Sequence, residues 1–562
     1  MGANKRQSEF QALTDVLVVG GVSVRLQAAI CLILAAFCII LYETTTYGGI
    51  RSPDSEIVFR SSEALVSHGS VAIEQGLEWK GFGLAKGVDG KEYSIFGLGQ
   101  VLAAAPLVVI GRSLAETGFF SENTFPIPIS FYEDDGLQHF SLGQSPPDRN
   151  NQGVRWVAAQ LNIVISALTV VLFYLTAFRL AGNPAPALFA ALIYGFGTLV
   201  WPYSGTFFSE PLATLFGLAA FYLLLINDPS FGTTSSGVMK TLLAGACLGI
   251  ATATHLSAIL FTPFFFLYAL YPYFGPHQRS KILTPAVGFV SGLAAMLALL
   301  GYYNYVRFGS PLETGRTVDP MAAVRFGYGV FTNPIEGLYG LLLSSNKGLV
   351  LFSPVVVVGA LAWPRLHRLH RFLAYVLAAA VVFRIVFIAS RSDWHGGFSL
   401  GPRYLVMILP YLCLPLALLV KDLLQNRRYN WYLFATSVVL FVCQQFYFSL
   451  GEIFSYYFQR MWQARNAGIN IFAGHRIYFE WTNSSVTSLL DGFRGPFLLR
   501  QLQINNYTLF LLGCSILTVV GILIYVIILR TVSVVKAHKP QYDANGVHES
   551  KCSGEGTTCR ER

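Results

Sequence analysis

Long apolar runs recur along this chain and restrict its fold more than any other feature. Examples are "LQAAICLILAAFCIILY", "WVAAQLNIVISALTVVLFYLTAF" and "LFLLGCSILTVVGILIYVIIL", and most of the runs contain no charged residue. Each approaches or exceeds the ~20 residues that a helix needs to cross a hydrocarbon core. Only 12% of the residues are charged, against roughly a quarter in soluble domains. The sequence therefore predicts an all-α polytopic membrane protein.

The apolar runs predict about 12 transmembrane helices. Their approximate bounds are 26–45, 155–178, 185–203, 207–226, 240–256, 257–274, 283–303, 346–363, 371–389, 403–420, 432–450 and 507–530. A further segment, "GLGQVLAAAPLVVIG" at 97–111, has only about 15 apolar or small residues, so we expect it to lie at the membrane interface instead of crossing.

The basic residues predict the sidedness of these helices. If 97–111 lies at the interface, the lysines and arginines of the short loops and both termini fall on one face, which the positive-inside rule makes cytoplasmic. If 97–111 crossed, every later loop would flip and this separation would be lost. We therefore expect a cytoplasmic N-terminus over 1–25, a transmembrane domain over 26–530 and a disordered cytoplasmic tail over 531–562.

Four long loops then fall on the extracytoplasmic face of the predicted topology. They are 46–154, which carries the interfacial helices, 304–345, 390–402 and 451–506. Loops of this length in a membrane protein are usually functional. The sequence therefore predicts an extracytoplasmic site in a protein of the cell (inner or plasma) membrane.

Several function classes are disfavoured by what the chain contains. The net charge of +9 comes largely from the short loops, so nucleic acid is not indicated as a partner. The eight cysteines lie in apolar runs or in the tail, which indicates neither a disulfide framework nor a metal cluster. The sequence has no Walker loop, dinucleotide fingerprint or zinc-ligand helix.

The first long loop begins with two carboxylates, in "TYGGIRSPDSEIVFR". Asp54 and Glu56 follow Ser52 and Pro53, so the acids fit the first turn of a helix with Ser52 as its cap. They also fit an acidic site at the membrane surface. Further along the loop, "DGKEYSIFGLGQ" offers Lys91 and Tyr93 beside glycines that allow close approach, or simply a tight turn.

The loop 390–402 carries the densest group of polar residues, in "RSDWHGGFSLGPRYL". Arg391, His395 and Arg403 stand on the extracytoplasmic face, against the positive-inside trend. Arginine suits phosphate because its guanidinium binds oxyanions in a bidentate fashion. The alternative is that Arg403 reaches along the membrane surface to lipid phosphate.

Four other polar residues lie at or within the apolar runs. Glu210 and His255 stand at the extracytoplasmic ends of runs, where a histidine is more often structural than a base. Lys347 stands at the mouth of a run, in "SSNKGLVLFSP". Arg384, in "VVFRIVF", is an intramembrane charge and therefore a site candidate, although it can also form a structural pair.

Taken together, these motifs resemble a known superfamily. The acid after the first run, the segment "YSIFGLGQ", and then "TLVWPYSGTFFSEPLA", "NYVRFGSPLETG", "NKGLVLFSP" and "WHGGFSLGPRYL" resemble the GT-C membrane glycosyltransferases. That group contains the protein O-mannosyltransferases and the lipid A aminoarabinose transferases. The resemblance covers most of residues 26–420.

The resemblance implies an enzyme that moves a sugar from a polyprenyl-phosphate carrier to a lipid, glycan or protein acceptor on the extracytoplasmic face. It implies that an acid of the first outer loop is the general base, and Asp54 matches that position, with Glu56 as the second acid. Arg403, with Lys91 or Lys347, would hold the carrier phosphate. The full set of expected substrate-binding residues is Lys91, Tyr93, Glu210, His255, Lys347, Arg391, His395 and Arg403.

The acids specify no metal, so the sequence leaves a divalent-metal requirement open. Two other functions also remain open. A transporter or lipid flippase would place charges within the spans, and a glycan polymerase or ligase would use the same lipid-linked substrates and the same outer basic residues.

Overall fold

The protein is described by a computed structural model. It describes residues 18–489 except 20–21, 47, 74–82, 121–148, 232–236, 276–277, 319–329, 426–429 and 470–474. The α-helices are Val24–Thr45, Pro53–His68, Leu98–Glu116, Arg149–Ala159, Leu161–Ala181, Pro184–Phe196, Val200–Ser204, Glu210–Leu225, Val238–Thr254, Thr262–Leu270, Leu283–Phe308, Pro334–Leu343, Leu349–Phe352, Val355–Leu369, Arg371–Ala389, Leu409–Cys413, Leu416–Gln425, Asn430–Leu450, Ile453–Asn466, Arg476–Phe479 and Ser485–Ser488. The 3-10 helices are Pro229–Phe231, Leu256–Phe261, Tyr271–Tyr273, Arg279–Lys281 and Arg403–Ile408.

Within the described residues, eight helical segments are long and apolar enough to cross a membrane. They are Val24–Thr45, Leu98–Glu116, Asn150–Ala181, Leu256–Tyr273, Arg279–Phe308, Arg371–Ala389, Arg403–Gln425 and Tyr432–Leu450. This arrangement confirms the prediction of a helical polytopic membrane protein.

The predicted number of 12 spans stays a prediction. Three of the predicted runs fold as shorter apolar helices, Pro184–Phe196, Glu210–Leu225 and Val238–Thr254. The run predicted over 346–363 is broken into Leu349–Phe352 and Val355–Leu369, because Pro354 has no N–H to continue the hydrogen-bond ladder. The run 507–530 and the tail 531–562 lie outside the described residues, as does most of 1–25.

The segment predicted at the interface is longer than its apolar core suggested. The helix Leu98–Glu116 has 19 residues, because the polar sequence after Gly111 continues it, so the argument that it is too short to cross was wrong. It packs beside Pro53–His68, where the Ser62 hydroxyl donates to the Val101 carbonyl at 3.0 Å. Its interfacial placement stays a prediction.

The helix Pro53–His68 begins as its sequence predicts. The side chain of Ser52 accepts a hydrogen bond from the Ser55 N–H at 3.1 Å, and Pro53 occupies the first helical position. The helix ends at Gly69, which adopts a left-handed conformation with φ of 66°. These caps fix where the first turn, and therefore Asp54, stands.

A small β-hairpin precedes the helix Leu98–Glu116 and was not predicted. Its strands, Leu84–Lys86 and Glu92–Ser94, are antiparallel, with Leu84 opposite Ser94. Arg307 fastens the hairpin to the helix Leu283–Phe308 by donating from Nη1 to the Ser94 carbonyl at 2.7 Å. A second ladder pairs Val18–Val19 with Val22–Ser23.

Candidate active site

A cavity of about 420 Å³ lies where several helix ends and the loop 390–402 meet. The Asp54 cavity, as we call it, is lined by the starts of Pro53–His68 and Glu210–Leu225 and by the end of Leu283–Phe308. Its predicted site residues are Asp54, Glu210, His255, Arg391, His395 and Arg403. These residues come from four separate stretches of the chain, around positions 54, 210, 255 and 391–403, and all of them line the same cavity.

Arg403 stands between two carboxylates of this cavity. Its Nη1 donates to Asp54 Oδ2 at 3.0 Å, and its Nε lies 3.0 Å from Glu210 Oε1. The contact with Glu210 is a charge contact, since its geometry is not that of a directed hydrogen bond. The guanidinium also lies over the ring of Phe208, at 4.6 Å from its centroid. These neighbours hold the positively charged guanidinium of Arg403 in the wall of the cavity.

Asp54 reaches the cavity from the first turn of its helix. Free N–H groups and the helix dipole favour a negative charge at that position. The side chain is 20% exposed, so a carboxylate held by Arg403 remains open to a substrate.

A chain of polar contacts extends from Glu210 into the helix bundle. His255 Nε2 lies 3.6 Å from Glu210 Oε1, and His255 Nδ1 lies 2.8 Å from the Ser257 hydroxyl. Arg384 donates from Nη2 to Ser257 Oγ at 3.0 Å and from Nη1 to the Ser257 carbonyl at 2.7 Å. Its other bonds go to the Tyr404 carbonyl. Arg384 thus binds two residues that line the cavity, Ser257 and Tyr404.

In the loop 390–402, Arg391 binds Asp393 through two hydrogen bonds of 2.6 Å each. Burial raises the pKa of Asp393, but the bonds and charge of Arg391 outweigh burial, so the pKa lies below its ordinary value. Arg391 and Asp393 both line the cavity. They present to it a carboxylate that stays ionised.

His395 lies in the same loop and is held as a neutral ring. The Gly397 N–H donates to its Nδ1 at 3.0 Å, and the ring stacks on Tyr478 with centroids 4.3 Å apart. Burial, followed by nearby cations such as Lys347, lowers the pKa of His395 to about 3. Because Nδ1 accepts a hydrogen bond, the proton of the neutral ring is on Nε2.

The structure does not bring four of the predicted site residues to the cavity wall. Lys347 is fully buried, and its ammonium donates to the Gly397 and Ser399 carbonyls at 2.7 Å and to Ser399 Oγ at 2.9 Å. All three N–H groups are therefore used to hold the loop 390–402 from behind.

Glu56 is the second such residue. It is fully buried, and both its oxygens are bound by Arg155, at 2.6 and 3.1 Å, with Arg60 at 2.9 Å. Burial raises the pKa of Glu56, but the two guanidinium groups outweigh burial and lower it to about 2. This saturated cluster ties the Asp54 helix to Arg149–Ala159. The role of Glu56 in the chemistry stays a prediction.

Lys91 and Tyr93 belong to the hairpin. Lys91 is exposed, while the Tyr93 hydroxyl donates to Asp89 at 2.8 Å. Burial, followed by the bond to Asp89, raises the pKa of Tyr93 to about 12. Lys91 and Tyr93 are therefore part of the hairpin, and the chain that follows the hairpin, Ile95 to Leu98, lines the cavity.

Sequence reasoning missed some residues of the site. Arg155 carried only a weak signal, a single charge ahead of an apolar run. Asn304 was also missed; it lines the cavity three residues before Arg307, which belongs to the motif "NYVRFGSPLETG" and lines the cavity too, a spacing that could have marked the last turn of that helix. Among the residues that the structure describes, no three His, Cys, Asp or Glu side chains are grouped as metal ligands.

Comparison with known proteins gives one family match. The profile of the family described as dolichyl-phosphate-mannose-protein mannosyltransferase matches residues 129–308, the part of the chain that contains Glu210, His255 and Arg307. This match confirms the resemblance that the sequence motifs predict. No curated protein matches the chain.

Two solved structures are similar to this chain at low identity. ArnT from Cupriavidus metallidurans, bound to undecaprenyl phosphate, is 15% identical over 70% of this chain and 60% of its own, with a TM-score of 0.41. The oligosaccharyltransferase AglB from Archaeoglobus fulgidus, in complex with an inhibitory peptide and a dolichol-phosphate, is 13% identical over 75% of this chain and 55% of its own, with a TM-score of 0.40. This chain thus spans somewhat more than half the length of each.

Proposed function

We propose that this integral membrane protein is a glycosyltransferase that takes a sugar from a polyprenyl-phosphate carrier. The observation that carries the proposal is the contact of Asp54 and Arg403 at 3.0 Å in the wall of a cavity. Transfer needs a base for the acceptor hydroxyl and a cation for the departing phosphate, and these are the two charge types that meet there. The family match supports the same donor chemistry.

In the proposed step, the acceptor hydroxyl oxygen bonds to the anomeric carbon and its proton passes to Asp54. The bond from the anomeric carbon to the phosphate oxygen breaks, and its electron pair leaves with the polyprenyl phosphate. Arg403 stabilises the charge that develops on that phosphate. An oxocarbenium-like centre between a carboxylate and a leaving group is familiar from carboxylate-based glycoside chemistry.

The contact between Asp54 and Arg403 also suggests how the base is prepared. The guanidinium that now donates to Asp54 is the group we expect to bind the carrier phosphate. When a donor phosphate draws Arg403 towards itself, the Asp54 oxygen loses that hydrogen bond and is free to accept one from the acceptor hydroxyl. Donor binding would then precede activation of the acceptor.

The site is proposed to face the extracytoplasmic side of the cell membrane. The residues of the Asp54 cavity come from the loop ends that the distribution of basic residues places on that side. Reporter fusions at residues 130 and 365 test the assignment, because the first position should be extracytoplasmic and the second cytoplasmic. A cytoplasmic signal at 130 would contradict it.

The decisive experiment is transfer by the purified protein in detergent. Polyprenyl-phosphate mannose is the first donor to test because of the family match, followed by other hexoses, with lipid, glycan and peptide acceptors. We expect wild type to release polyprenyl phosphate in an acceptor-dependent manner and Asp54→Asn to lose about 10²–10⁴-fold in rate. Glu63→Gln, a carboxylate change on the same helix, is the matched control. Unchanged transfer by Asp54→Asn would refute the role of Asp54.

A further inference from the structure

In the Asp54 cavity, two polar nitrogens lie close to Glu210 Oε1 without forming a directed hydrogen bond to it. Glu210 Oε1 and Arg403 Nε are both buried and make no directed hydrogen bond. His255 Nε2 lies 3.6 Å from the same Glu210 oxygen, beyond the 2.7–3.2 Å of a normal N–H···O bond. Buried charged groups rarely remain without such a bond, because the lost solvation is costly. Glu210 and Arg403 therefore retain hydrogen-bonding capacity for one more polar atom.

The proton of His255 can be placed from its neighbours. Arg384 already donates to Ser257 Oγ, so the hydroxyl hydrogen of Ser257 is free to point at His255 Nδ1, 2.8 Å away. A lone pair on Nε2 would face the carboxylate of Glu210, which is unfavourable. The proton of the neutral ring is therefore assigned to Nε2, on the side of the cavity.

A ligand atom that binds between Glu210 and His255 has to form two hydrogen bonds. It must donate a hydrogen to Glu210 Oε1 and accept one from His255 Nε2. Phosphate oxygens only accept and ammonium groups only donate, whereas a hydroxyl does both. We propose that Glu210 and His255 form a recognition pair for one hydroxyl group of the donor sugar. The proposal rests on the proposed function and names the group of the substrate that the site recognises.

The position of Glu210 and His255 in the cavity indicates which sugar hydroxyl they would bind. Glu210 Oε1 lies 3.0 Å from the guanidinium of Arg403, the group assigned to the carrier phosphate. A hydroxyl bound to Glu210 is therefore close to the phosphate and to the anomeric carbon that carries it. The ring hydroxyl on the adjacent carbon, at position 2, fits this requirement. Arg384 and Ser257 are positioning residues, because they fix the ring of His255 without reaching the ligand.

The test is a cycle that combines a change in the donor with a change in the protein. Affinities of polyprenyl-phosphate mannose and of its 2-deoxy analogue are measured by competition against radiolabelled donor, in an Asp54→Asn background that prevents turnover. We expect removal of the hydroxyl to weaken binding about 10–100-fold when His255 is present. In the His255→Ala background the same removal should change affinity less than about threefold.

Conservative variants separate recognition from a merely structural role. His255→Gln can place an amide N–H near the position of Nε2 and should retain part of the penalty for the missing hydroxyl, while His255→Asn should not. Ser257→Ala, which keeps the imidazole of His255 but removes the hydroxyl that fixes it, should reduce the penalty partly, and it serves if His255→Ala does not fold. His367→Ala changes a half-buried histidine in the helix Val355–Leu369, outside the Asp54 cavity; it is the control and should keep the full penalty.

The outcomes are distinguishable. An equal penalty in the presence and absence of His255, or no penalty at all, overturns the recognition pair and leaves the proposed function standing. A penalty for another deoxy position that vanishes with His255→Ala supports the pair and corrects the assigned hydroxyl. If no polyprenyl-phosphate sugar binds or is transferred, the proposed function falls, and the inference falls with it.

Discussion

Two acids that lie two residues apart on one helix have opposite surroundings. Asp54 is 20% exposed, lines a cavity and is bound by one arginine, from a segment 349 residues away in sequence. Glu56 is completely buried and is bound by Arg155 and Arg60 through both of its oxygens. The side chains therefore lie in different environments, although they share a helix turn and a charge.

The difference decides which of the two carboxylates a molecule in the cavity can contact. A buried carboxylate with both oxygens bound by arginines is not reached by a substrate, and breaking such a cluster is costly. A carboxylate with one partner at the edge of a cavity can exchange that partner for a substrate. The same residue type thus fixes the helix at one position and is available at the other.

Exchanging the two arginines for lysine should separate the roles most strongly. Lysine cannot contact both Asp54 and Glu210 in the geometry of a guanidinium, so we expect Arg403→Lys to lower transfer by about 10²-fold or more. Arg155→Lys should lower stability instead, with a smaller change in transfer per folded molecule. Initial rates and thermal unfolding in detergent measure the two effects. Equal losses of transfer in both variants would contradict the comparison.

Neutralising Glu56 should cost more stability than neutralising Asp54. Because Glu56→Gln leaves the buried Arg155 and the half-buried Arg60 without this carboxylate, we expect a loss of about 3 kcal/mol in the free energy of unfolding, against less than about 1 kcal/mol for Asp54→Asn. The pKa of Glu56 is lowered to about 2, so the stability that it contributes is fully present above its ordinary value near 4.5 and is lost as pH falls through about 2. Thermal unfolding at pH 5–7 measures the difference. Similar losses for the two variants would show that Glu56 is not the anchor.

Acid should loosen the loop 390–402 before it affects the Glu56 cluster. The folded protein lowers the pKa of His395 to about 3 from an ordinary 6.5, so the unfolded chain binds more protons between these values. Stability contributed by neutral His395 is therefore complete above pH 6.5 and falls as pH drops, by about 2 kcal/mol near pH 5.

The variant His395→Asn tests this pH dependence. It keeps an acceptor for the Gly397 N–H but cannot titrate, so its unfolding temperature should depend less on pH between 6.5 and 5. Wild type and variant are compared by thermal unfolding across that range. Parallel curves for the two proteins would show that His395 is not responsible.

The smallest effect is expected at Lys91. Its side chain is exposed on the hairpin and does not line the Asp54 cavity, so Lys91→Ala should change the transfer rate less than about twofold. A loss comparable to that of Arg403→Lys would place Lys91 at the carrier phosphate, as the sequence resemblance suggested. The measurement is the transfer rate at saturating donor concentration, and Lys86→Ala is the control.

The fold was predictable where hydropathy decides it. The long apolar runs predict most of the helices because a bilayer demands them. The hairpin was not predictable, since strands of three residues such as Leu84–Lys86 are too short to show the alternation of apolar and polar side chains that marks a strand. The helix Leu98–Glu116 exceeded its predicted length because polar residues after Gly111 are compatible with a helix but leave no hydropathy signal.

The site was predictable in its members more than in their roles. Asp54, Glu210 and Arg403 were expected on one face, and they meet in one cavity. The family resemblance ranked Asp54 ahead of Glu56, but no residue pattern predicted that Glu56 is buried against Arg155, because Arg155 stands 99 residues from Glu56 and pairing at that separation depends on the packed fold. Lys347 was misleading for the same reason, since its three carbonyl and hydroxyl partners come from a distant loop.

Two glycines at the start of the helix Leu98–Glu116 have a consequence for how this protein can vary. A Cβ on Gly97 would overlap the Thr254 carbonyl, and one on Gly99 would overlap the Thr254 side chain, immediately before His255. In a comprehensive substitution library, positions 97 and 99 should therefore tolerate almost no replacement, although neither residue has a reactive group. Leu102 and Val109, exposed on the same helix, should accept many apolar residues. Selection for function would then preserve these glycines because the first loop and the residue before His255 share one contact surface.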